Sequence, residues 1–229
     1  MRAGATLVPV TAPGAPTPAD PTFSDRPLLV LRSTVVFPRG TVAVQMGAPE
    51  NVALLKAHPE HDLEVIVAVA SARDASPDPA SLVGRIGVLA RVVARAAVAG
   101  NTLQVTLEGM TRVRIARIER RQAVTYALSE PVTEVPGDAP SLRSLLTQLA
   151  DAADRLVDAN DTTPPELSAL VRLNGGTPGY AADLVAARGR FRASDKDEVL
   201  QRLDLTDRLT YVLDRVEKEL TRSAVLDDV

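Results

Sequence analysis

Residues Leu28–Gly47 read LLVLRSTVVFPRGTVAVQMG, and this stretch decides the fold. Apolar runs at Leu28–Leu31 and Val35–Phe37 precede Pro38-Arg39-Gly40, and a third run, Thr41–Met46, follows it. Proline presets φ and glycine tolerates positive φ, so a Pro-x-Gly step between β-branched runs indicates a turn. The stretch is therefore predicted to be the first hairpin of an antiparallel β-barrel.

The residues that follow continue the β pattern. One short helix is predicted over Pro49–Ala57, because proline in the first position and an acid in the first turn favour a helix start. Further strands are predicted at Leu63–Ala70, Ile86–Val98, Leu103–Leu107, a run after Gly109, and Tyr126–Val132. Gly100-Asn101 predicts a tight turn, and the slipped alternation at Ala116–Ile118 predicts a bulge or a strand end. Residues 28–134 should then form a small, closed or nearly closed barrel of about six strands.

The composition changes at a linker, residues 135–140, and the rest of the chain has a helical pattern. A stripe of leucines at helical spacing begins at Leu142. The predicted helix boundaries are a capping box at Thr163-Pro164-Pro165-Glu166, a start at Thr177-Pro178, a stop at Gly189 and a cap at Ser194. Residues 141–229 are expected to form an α-helical bundle, so the fold class is α+β.

Composition excludes several classes of protein. The 229 residues include no cysteine, which excludes disulfides and thiolate metal sites. A formal charge of −3 argues against a dedicated nucleic-acid module, which is normally basic. No apolar run reaches the length of about 18 residues that a membrane span needs. Residues 1–27 contain six prolines, which break any signal-peptide core, so they are predicted to be a disordered leader of a cytoplasmic protein.

Several motifs resemble one known family, and they occur in that family's order. Leu31–Pro38, LRSTVVFP, resembles the opening motif of the amino-terminal domain of Lon proteases. Four further segments are similar to later motifs of the same domain: SPDPASLVGRIGVLARV from Ser76, LEGMTRVRI from Leu107, PGYAADLVA from Pro178 and LQRLDLTDRL from Leu200. The resemblance extends from about Leu28 to Leu220, which is most of the chain.

This resemblance implies a PUA-like β-barrel followed by a helical bundle, and a role in recognising unfolded or damaged proteins for an ATP-driven protease ring. It implies AAA+ and protease domains in the same parent chain, which is hexameric in the family. The chain itself lacks the Gly-x-x-x-x-Gly-Lys-Ser/Thr loop that cradles phosphates, and no lysine follows a glycine. It is expected to be non-catalytic and without a cofactor, as either an amino-terminal portion of a Lon protease or a stand-alone adaptor.

Client binding requires exposed apolar surface that accepts many sequences, and flexible methionine and aliphatic side chains suit that purpose. The candidate client contacts are Phe37, Pro38, Val42, Met46 and Met110. The alternative is that all five side chains belong to the core. Solvent exposure separates the two possibilities.

Other candidate sites have simpler explanations. Eight arginines occur between residues 85 and 121, at positions 85, 91, 95, 112, 114, 117, 120 and 121, against only Glu108 and Glu119. An RNA-binding PUA-like module is the alternative they suggest, but the aromatic residues that stack bases are missing there. His58 and His61 are better explained as residues at a helix end than as a metal pair. Ser194 near Lys196 is better explained as a helix cap than as a nucleophile.

Overall fold

The computed structural model describes residues 24–70, 78–98, 100–159 and 162–227. Its six strands are β1 (Ser24–Leu31), β2 (Thr41–Met46), β3 (Leu63–Val69), β4 (Ile86–Val98), β5 (Thr102–Arg121) and β6 (Val124–Pro131). Its six α-helices are α1 (Pro49–Ala57), α2 (Ala139–Asp158), α3 (Leu167–Leu173), α4 (Pro178–Arg188), α5 (Ala193–Gln201) and α6 (Leu205–Asp227). A short 3₁₀ helix, Pro79–Leu82, precedes β4. The fold class is α+β, as predicted.

The strands form one mixed sheet in the order β2-β5-β4-β3-β1-β6. The long strand β5 pairs with β2, β4 and β6. Following the paired strands from β5 through β4, β3, β1 and β6 therefore leads back to β5. Strands β1 and β3 are parallel, with Leu28 opposite Ile66. The prediction of a purely antiparallel sheet is therefore wrong at this pair. The connection through β2 and α1 provides the long crossover that parallel neighbours need.

The predicted opening hairpin is also wrong, because β1 and β2 do not pair. β1 lies between β3 and β6, whereas β2 pairs with β5. The residues between the two strands, 32–40, form a loop in which Val35, Val36 and Phe37 are buried. Three polar residues, Arg32-Ser33-Thr34, interrupt the apolar runs and make the connection too long for a tight hairpin turn.

Strand β1 also begins four residues before the predicted barrel boundary. Residues 24–27, placed in the leader by the sequence, pair with β6, with Pro27 opposite Tyr126. The rest of the predicted leader lies outside the described residues.

The hairpin of β4 and β5 follows the sequence prediction. Gly100 and Asn101 both have positive φ, which matches the right-handed twist of the two strands. The predicted bulge is confirmed as a register shift between Ile115 and Arg117. Two details differ: β5 runs without a break through Gly109, and Ala94 is exposed because the register of β4 shifts between Val92 and Ala94.

In the helical half, α2 packs on α3 and α6, and α4 packs on α6. Helix α2 begins inside the predicted linker, because the Asp138 carboxylate accepts a hydrogen bond from the Ser141 N–H at 2.9 Å and caps the first turn. The predicted capping box at Thr163 is wrong, since Thr163 is buried and α3 begins only at Leu167. Ser194 does not cap α5, which starts one residue earlier.

A single large apolar core extends through both halves of the molecule. It includes Val88 and Leu107 of the sheet together with Leu149 and Val185 of the helices. A smaller cluster on the other side of the sheet contains Ile66 and Ile115. Because the main core is shared, the loop, sheet and helices that meet beside it are held in fixed positions.

Candidate functional site

The loop that joins β1 to β2 lies against a glycine of β5. The Arg39 N–H donates to the Gly109 carbonyl oxygen at 2.7 Å, and the Gly109 N–H donates to the Gly40 oxygen at 2.8 Å. A Cβ atom on Gly109 would lie only 2.1 Å from the Phe37 carbonyl oxygen. Glycine is therefore required at this point of β5, and it sets how closely the loop approaches the sheet.

Four charged side chains connect the sheet to the helices, and we call them the buried ion cluster: Arg112 of β5, Glu134, Asp183 of α4 and Arg208 of α6. The Arg112 guanidinium donates to both Asp183 carboxylate oxygens at 2.7 Å, and its Nε donates to the Leu200 carbonyl oxygen at 3.1 Å. Arg208 donates to Glu134 Oε1 at 2.6 Å. The side chains of Arg112 and Asp183 are 5% and 3% exposed, so this bidentate ion pair is shielded from water.

Burial and charge act against each other in this cluster. Burial raises the pKa of the Asp183 carboxyl, and the positive charges of Arg112 and Arg208 oppose that rise. Burial and the nearby Arg112 charge lower the pKa of Arg208, which Asp183 and Glu134 counteract. The charges of Arg112, Asp183 and Arg208 must therefore remain paired, because any one of these three alone would be costly to bury.

Gly179, in the first turn of α4, allows the cluster to pack against the helix. A Cβ atom on Gly179 would lie 2.6 Å from Glu134 Oε1 and 2.9 Å from an Arg208 nitrogen. Pro178 occupies the first turn, where its missing N–H costs no hydrogen bond. The start of α4 thus receives a carboxylate at its positive end.

A groove runs between the β1–β2 loop and the helices, and we call it the seam groove. Its volume is about 370 Å³. One wall is built by residues 33–37 and 40–42, and the other by Ala187, Arg188, Phe191, Ala193 and Lys196. Apolar side chains from both walls face each other across it, and its lining contains two cations and no acidic residue.

Lys196 is held in place at the rim of the seam groove. Its Nζ donates to the Ala187 carbonyl oxygen at 2.9 Å, near the end of α4. Burial lowers the pKa of Lys196, while the negative charge of Glu219 opposes that shift. The ammonium group is half-buried and has no carboxylate within salt-bridge distance in the described part of the chain.

A second cavity adjoins Pro38 and Arg39 of the same loop, and its lining contains charged residues of both signs. It has a volume of about 450 Å³ and is lined partly by Arg112, Glu134 and Asp183 of the buried ion cluster. At its mouth the Arg39 guanidinium lies 4.1 Å from the centroid of the Tyr180 ring, a cation–π contact. Because the charges of Arg112, Glu134 and Asp183 are already paired, this cavity is better suited to holding the two halves together than to binding a client.

The five candidate client contacts differ in solvent exposure and in position. Phe37 and Met46 are 4% and 2% exposed and belong to the core, so their predicted role as exposed contacts is corrected. Met46 sits where the alternation of β2 points it inward, and Phe37 ends the buried loop run Val35–Phe37. The core has few other aromatic residues to fill it. Val42 is half-buried and lines the seam groove, and Phe37 also lines it. Pro38 lines the second cavity, and Met110 is half-buried elsewhere on β5. For these three residues, client contact remains a prediction.

Sequence reasoning missed the helical wall of the groove. Phe191 and Arg188 lie in the run Arg188-Gly189-Arg190-Phe191-Arg192, of which only the helix-ending glycine was noted. A phenylalanine between arginines is a signal for a surface that combines apolar and cationic contact. Its meaning depends on facing the β1–β2 loop, which is distant in sequence.

Most of the eight arginines at positions 85–121 form ion pairs with acidic residues of the same chain. The ion pairs are Arg85–Asp197, Arg91–Glu108, Arg112–Asp183, Arg114–Glu130, Arg117–Glu119 and Arg121–Asp25. Arg95 donates to the carbonyl oxygens of Leu55, His58 and Glu60, and Arg120 makes one long contact to the Gln122 carbonyl. Most of the pairing acids come from other segments, so a charge count within residues 85–121 overstates the positive charge available to a phosphate backbone.

The geometry offers binding surfaces rather than reacting groups. His58 contacts the Tyr126 hydroxyl at 2.9 Å and Glu60 at 3.0 Å, which accounts for both ring nitrogens. Among the described residues no group of three or more His, Cys, Asp or Glu is arranged to hold a metal ion. The Lys196 amine points to a backbone carbonyl, as described above, and Ser194 is exposed on α5.

The motifs that suggested a family therefore meet in space. The loop motif packs on Gly109, and Arg112, Asp183 and Arg208 come from three further motifs. Residues 25–218 match the family described as the ATP-dependent protease La (LON) substrate-binding domain. The chain belongs to this family.

The chain is also similar in sequence to Lon proteases over most of its length. The Lon protease of Koribacter versatilis (strain Ellin345) is 31% identical over 212 residues, covering 88% of this chain and 26% of that protein. The Lon protease of Escherichia coli (strain K12) is 26% identical over 201 residues, covering 85% and 25%. The chain thus spans about a quarter of the length of the curated Lon proteases that it matches.

Solved structures show the same fold. The N-terminal domain of the Mycobacterium avium complex Lon protease superposes with a TM-score of 0.67 at 18% identity, covering 85% of this chain and 98% of that one. The Lon N-terminal domain protein from Xanthomonas campestris gives a TM-score of 0.53 at 17% identity, covering 83% and 98%. No helix in the described part of this LON-family chain is long and apolar enough to cross a membrane.

Proposed function

We propose that this chain is the non-catalytic client-recognition part of an ATP-dependent protease, and that it binds unfolded protein segments in the seam groove. The observation that carries the proposal is the groove itself, which opens between Val42 of the sheet half and Phe191 of the helical half. Family membership supports the general role of substrate binding.

The groove has the properties that loose recognition requires. Its walls offer apolar surface from both halves of the protein, so that different apolar side chains can be accommodated. Two cations at the rim add an electrostatic contribution that is independent of side-chain shape. Single contacts of this kind are weak, and several copies of the domain on one ring would increase the total affinity.

The proposed setting is a cytoplasmic Lon-type protease. In that setting the AAA+ and protease domains belong to the same parent chain, and several parent chains form a hexamer. The 229 residues contain no Gly-x-x-x-x-Gly-Lys-Ser/Thr loop, so ATP hydrolysis would be carried out by another part of the parent protein.

The proposal is tested by binding to a permanently unfolded protein, such as reduced and carboxymethylated α-lactalbumin, followed by fluorescence anisotropy. Phe191→Ser removes a half-buried aromatic side chain from the groove, and binding should weaken about tenfold. Leu173→Ser is the matched control, because Leu173 is 80% exposed and does not line the groove. Phe37 and Met46 are unsuitable for this test, since replacing a core residue changes the fold.

The circular dichroism spectrum and the urea midpoint show whether each variant is folded. Equal binding by the wild type, Phe191→Ser and Leu173→Ser would place the client elsewhere. Absence of binding by the folded wild type would remove the proposal altogether.

A further inference from the structure

Strand β2 forms an open edge of the sheet. In an antiparallel pair, backbone groups alternate between pointing toward and away from the partner strand. Because the Gly109 N–H donates to the Gly40 oxygen, this alternation turns the N–H and C=O groups of Thr41, Ala43 and Gln45 away from β5. No other described residue hydrogen-bonds to these groups. A row of unused donors and acceptors on a strand edge is a template for another strand.

Two open spaces adjoin β2, one toward each end of the strand. The seam groove touches Thr41 and Val42 at one end of β2. A smaller cleft of about 150 Å³ touches Gln45 and Met46 at the other end. Ser33 and Thr34 line both spaces, and we call the two spaces together the trough. Among the described residues, β2 pairs with β5 and with no other strand. A backbone lying in that trough would meet the unused groups of β2 directly.

The chemistry of the trough is cationic as well as apolar. Arg188 and Lys196 line the seam groove, and no acidic side chain does. Arg188, Arg190 and Arg192 are exposed and make no ion pair with any described residue. A carboxylate on a bound segment would give Lys196 the partner that its half-buried position otherwise lacks.

We propose that the free edge of β2 receives an extended client segment as an added β-strand, and that the cations of the seam groove favour segments in which acidic residues flank an apolar one. This inference rests on the proposed function, because it specifies how the groove holds its client. Main-chain hydrogen bonds supply affinity without regard to sequence, and the groove supplies a preference for side chains. This combination suits a domain that binds many unfolded proteins but binds some of them more tightly than others.

The first test uses fluorescein-labelled eight-residue peptides of valine and glutamate around one phenylalanine. N-methylation of alternate residues blocks one edge of such a peptide, and methylation of the intervening residues blocks the other edge. Strand addition predicts that one methylated peptide binds at least about tenfold more weakly than the parent peptide, while the other stays within about twofold. Equal binding of all three peptides would overturn strand addition.

The second test changes the protein. Ala43→Pro removes one outward N–H, which an edge strand tolerates because that group is not used in the fold. Peptide binding should weaken about threefold to tenfold, whereas Ala43→Ser, which keeps the N–H, should bind within about twofold of the wild type. Equal urea midpoints show that both variants are folded. If Ala43→Pro does not fold, the methylated peptides decide the question alone.

The third test addresses charge. Replacing the glutamates of the peptide by lysines should weaken binding about tenfold at low salt, and 0.5 M NaCl should reduce that difference. Lys196→Gln keeps a donor for the Ala187 carbonyl and should narrow the gap between the two peptides. A lysine peptide that binds as well as the glutamate peptide would contradict the predicted preference.

The outcomes separate this inference from the proposed function. If the wild type binds neither unfolded protein nor any peptide, the proposed function itself is wrong. If it binds both but ignores N-methylation and Ala43→Pro, client recognition survives and strand addition does not.

Discussion

The strongest prediction concerns the ion pair between Arg112 and Asp183, which joins β5 to α4. Asp183→Asn preserves the shape of the side chain but removes its charge. The Arg112 guanidinium would then be a buried cation whose nearest remaining carboxylate is Glu134, at 3.8 Å and partly exposed. One Asn N–H would also face an Arg N–H, so one of the two hydrogen bonds would become a repulsive contact.

The expected magnitude follows from this geometry. Removing one partner of a buried ion pair typically costs about 3–5 kcal/mol. Glu134 compensates in part, so Asp183→Asn should lower the free energy of unfolding by about 3 kcal/mol. For a domain whose total stability is about 5–15 kcal/mol, this loss is a large fraction. If the free energy of unfolding falls by about 2 kcal/mol per molar of urea, this loss should lower the urea midpoint by about 1–2 M.

A double-mutant cycle tests the physical reason. Arg112→Met alone leaves the Asp183 carboxylate buried beside only Arg208, so it should also be strongly destabilising. In the combined variant both charges are absent, and Arg208 and Glu134 remain paired. The combined loss should therefore be smaller than the sum of the two single losses by about 2 kcal/mol.

The assay is urea unfolding at pH 7, followed by circular dichroism. Glu217→Gln is the control, because it breaks a surface pair with Arg155 and should move the midpoint by less than about 0.3 M. Strictly additive single effects would refute the view that these two side chains stabilise the protein as a pair. A midpoint for Asp183→Asn equal to that of the control would refute the predicted importance of the junction.

Three further predictions concern single positions. Gly109→Ala places a Cβ atom 2.1 Å from the Phe37 carbonyl, a backbone contact that cannot yield easily, and should lower the free energy of unfolding by about 3 kcal/mol in the same urea assay. Gly179→Ala displaces the Glu134 carboxylate but improves helix propensity, and should cost about 1–2 kcal/mol net. Asp138→Ala removes the α2 cap and should lower Tm at pH 7. Hydrogen bonds from Ser141 lower the pKa of Asp138, so its contribution exists above the unfolded-state pKa and disappears as pH falls through the folded-state pKa. The Tm difference between this variant and the wild type should therefore vanish in acid.

Local signals were sufficient for much of the fold. The turn at Gly100-Asn101 depends on the backbone preferences of two adjacent residues, and the structure has that turn. The bulge near Ala116 appeared in the sequence as a break in alternation, and Pro49 and Pro178 marked helix starts correctly. In each case the physical cause lies within a few residues of the feature.

Pairing between distant segments was not predictable in this way. Adjacent apolar runs suggested that β1 and β2 form a hairpin, but β1 is buried between β3 and β6. In β5, Arg112 and Arg114 alternate with Val113 and Ile115, a pattern that by itself treats the two arginines alike. Only α4, 71 residues later in the sequence, supplies the carboxylate that makes burial of Arg112 possible. A pattern within one strand carries no information about which helix will cover it.

The seam groove shows that local sequence patterns also fail to predict a site built from distant segments. The residues that identify the family are largely those that build the junction: Gly109 admits the loop, and Arg112, Asp183 and Arg208 neutralise each other inside it. The groove residues Phe191 and Lys196 lie outside those motifs. A junction of fixed geometry can therefore carry different side chains along the trough beside β2. Family membership then accounts for the scaffold, and on the proposed function the charge and size of the groove side chains would determine which segments this particular chain prefers.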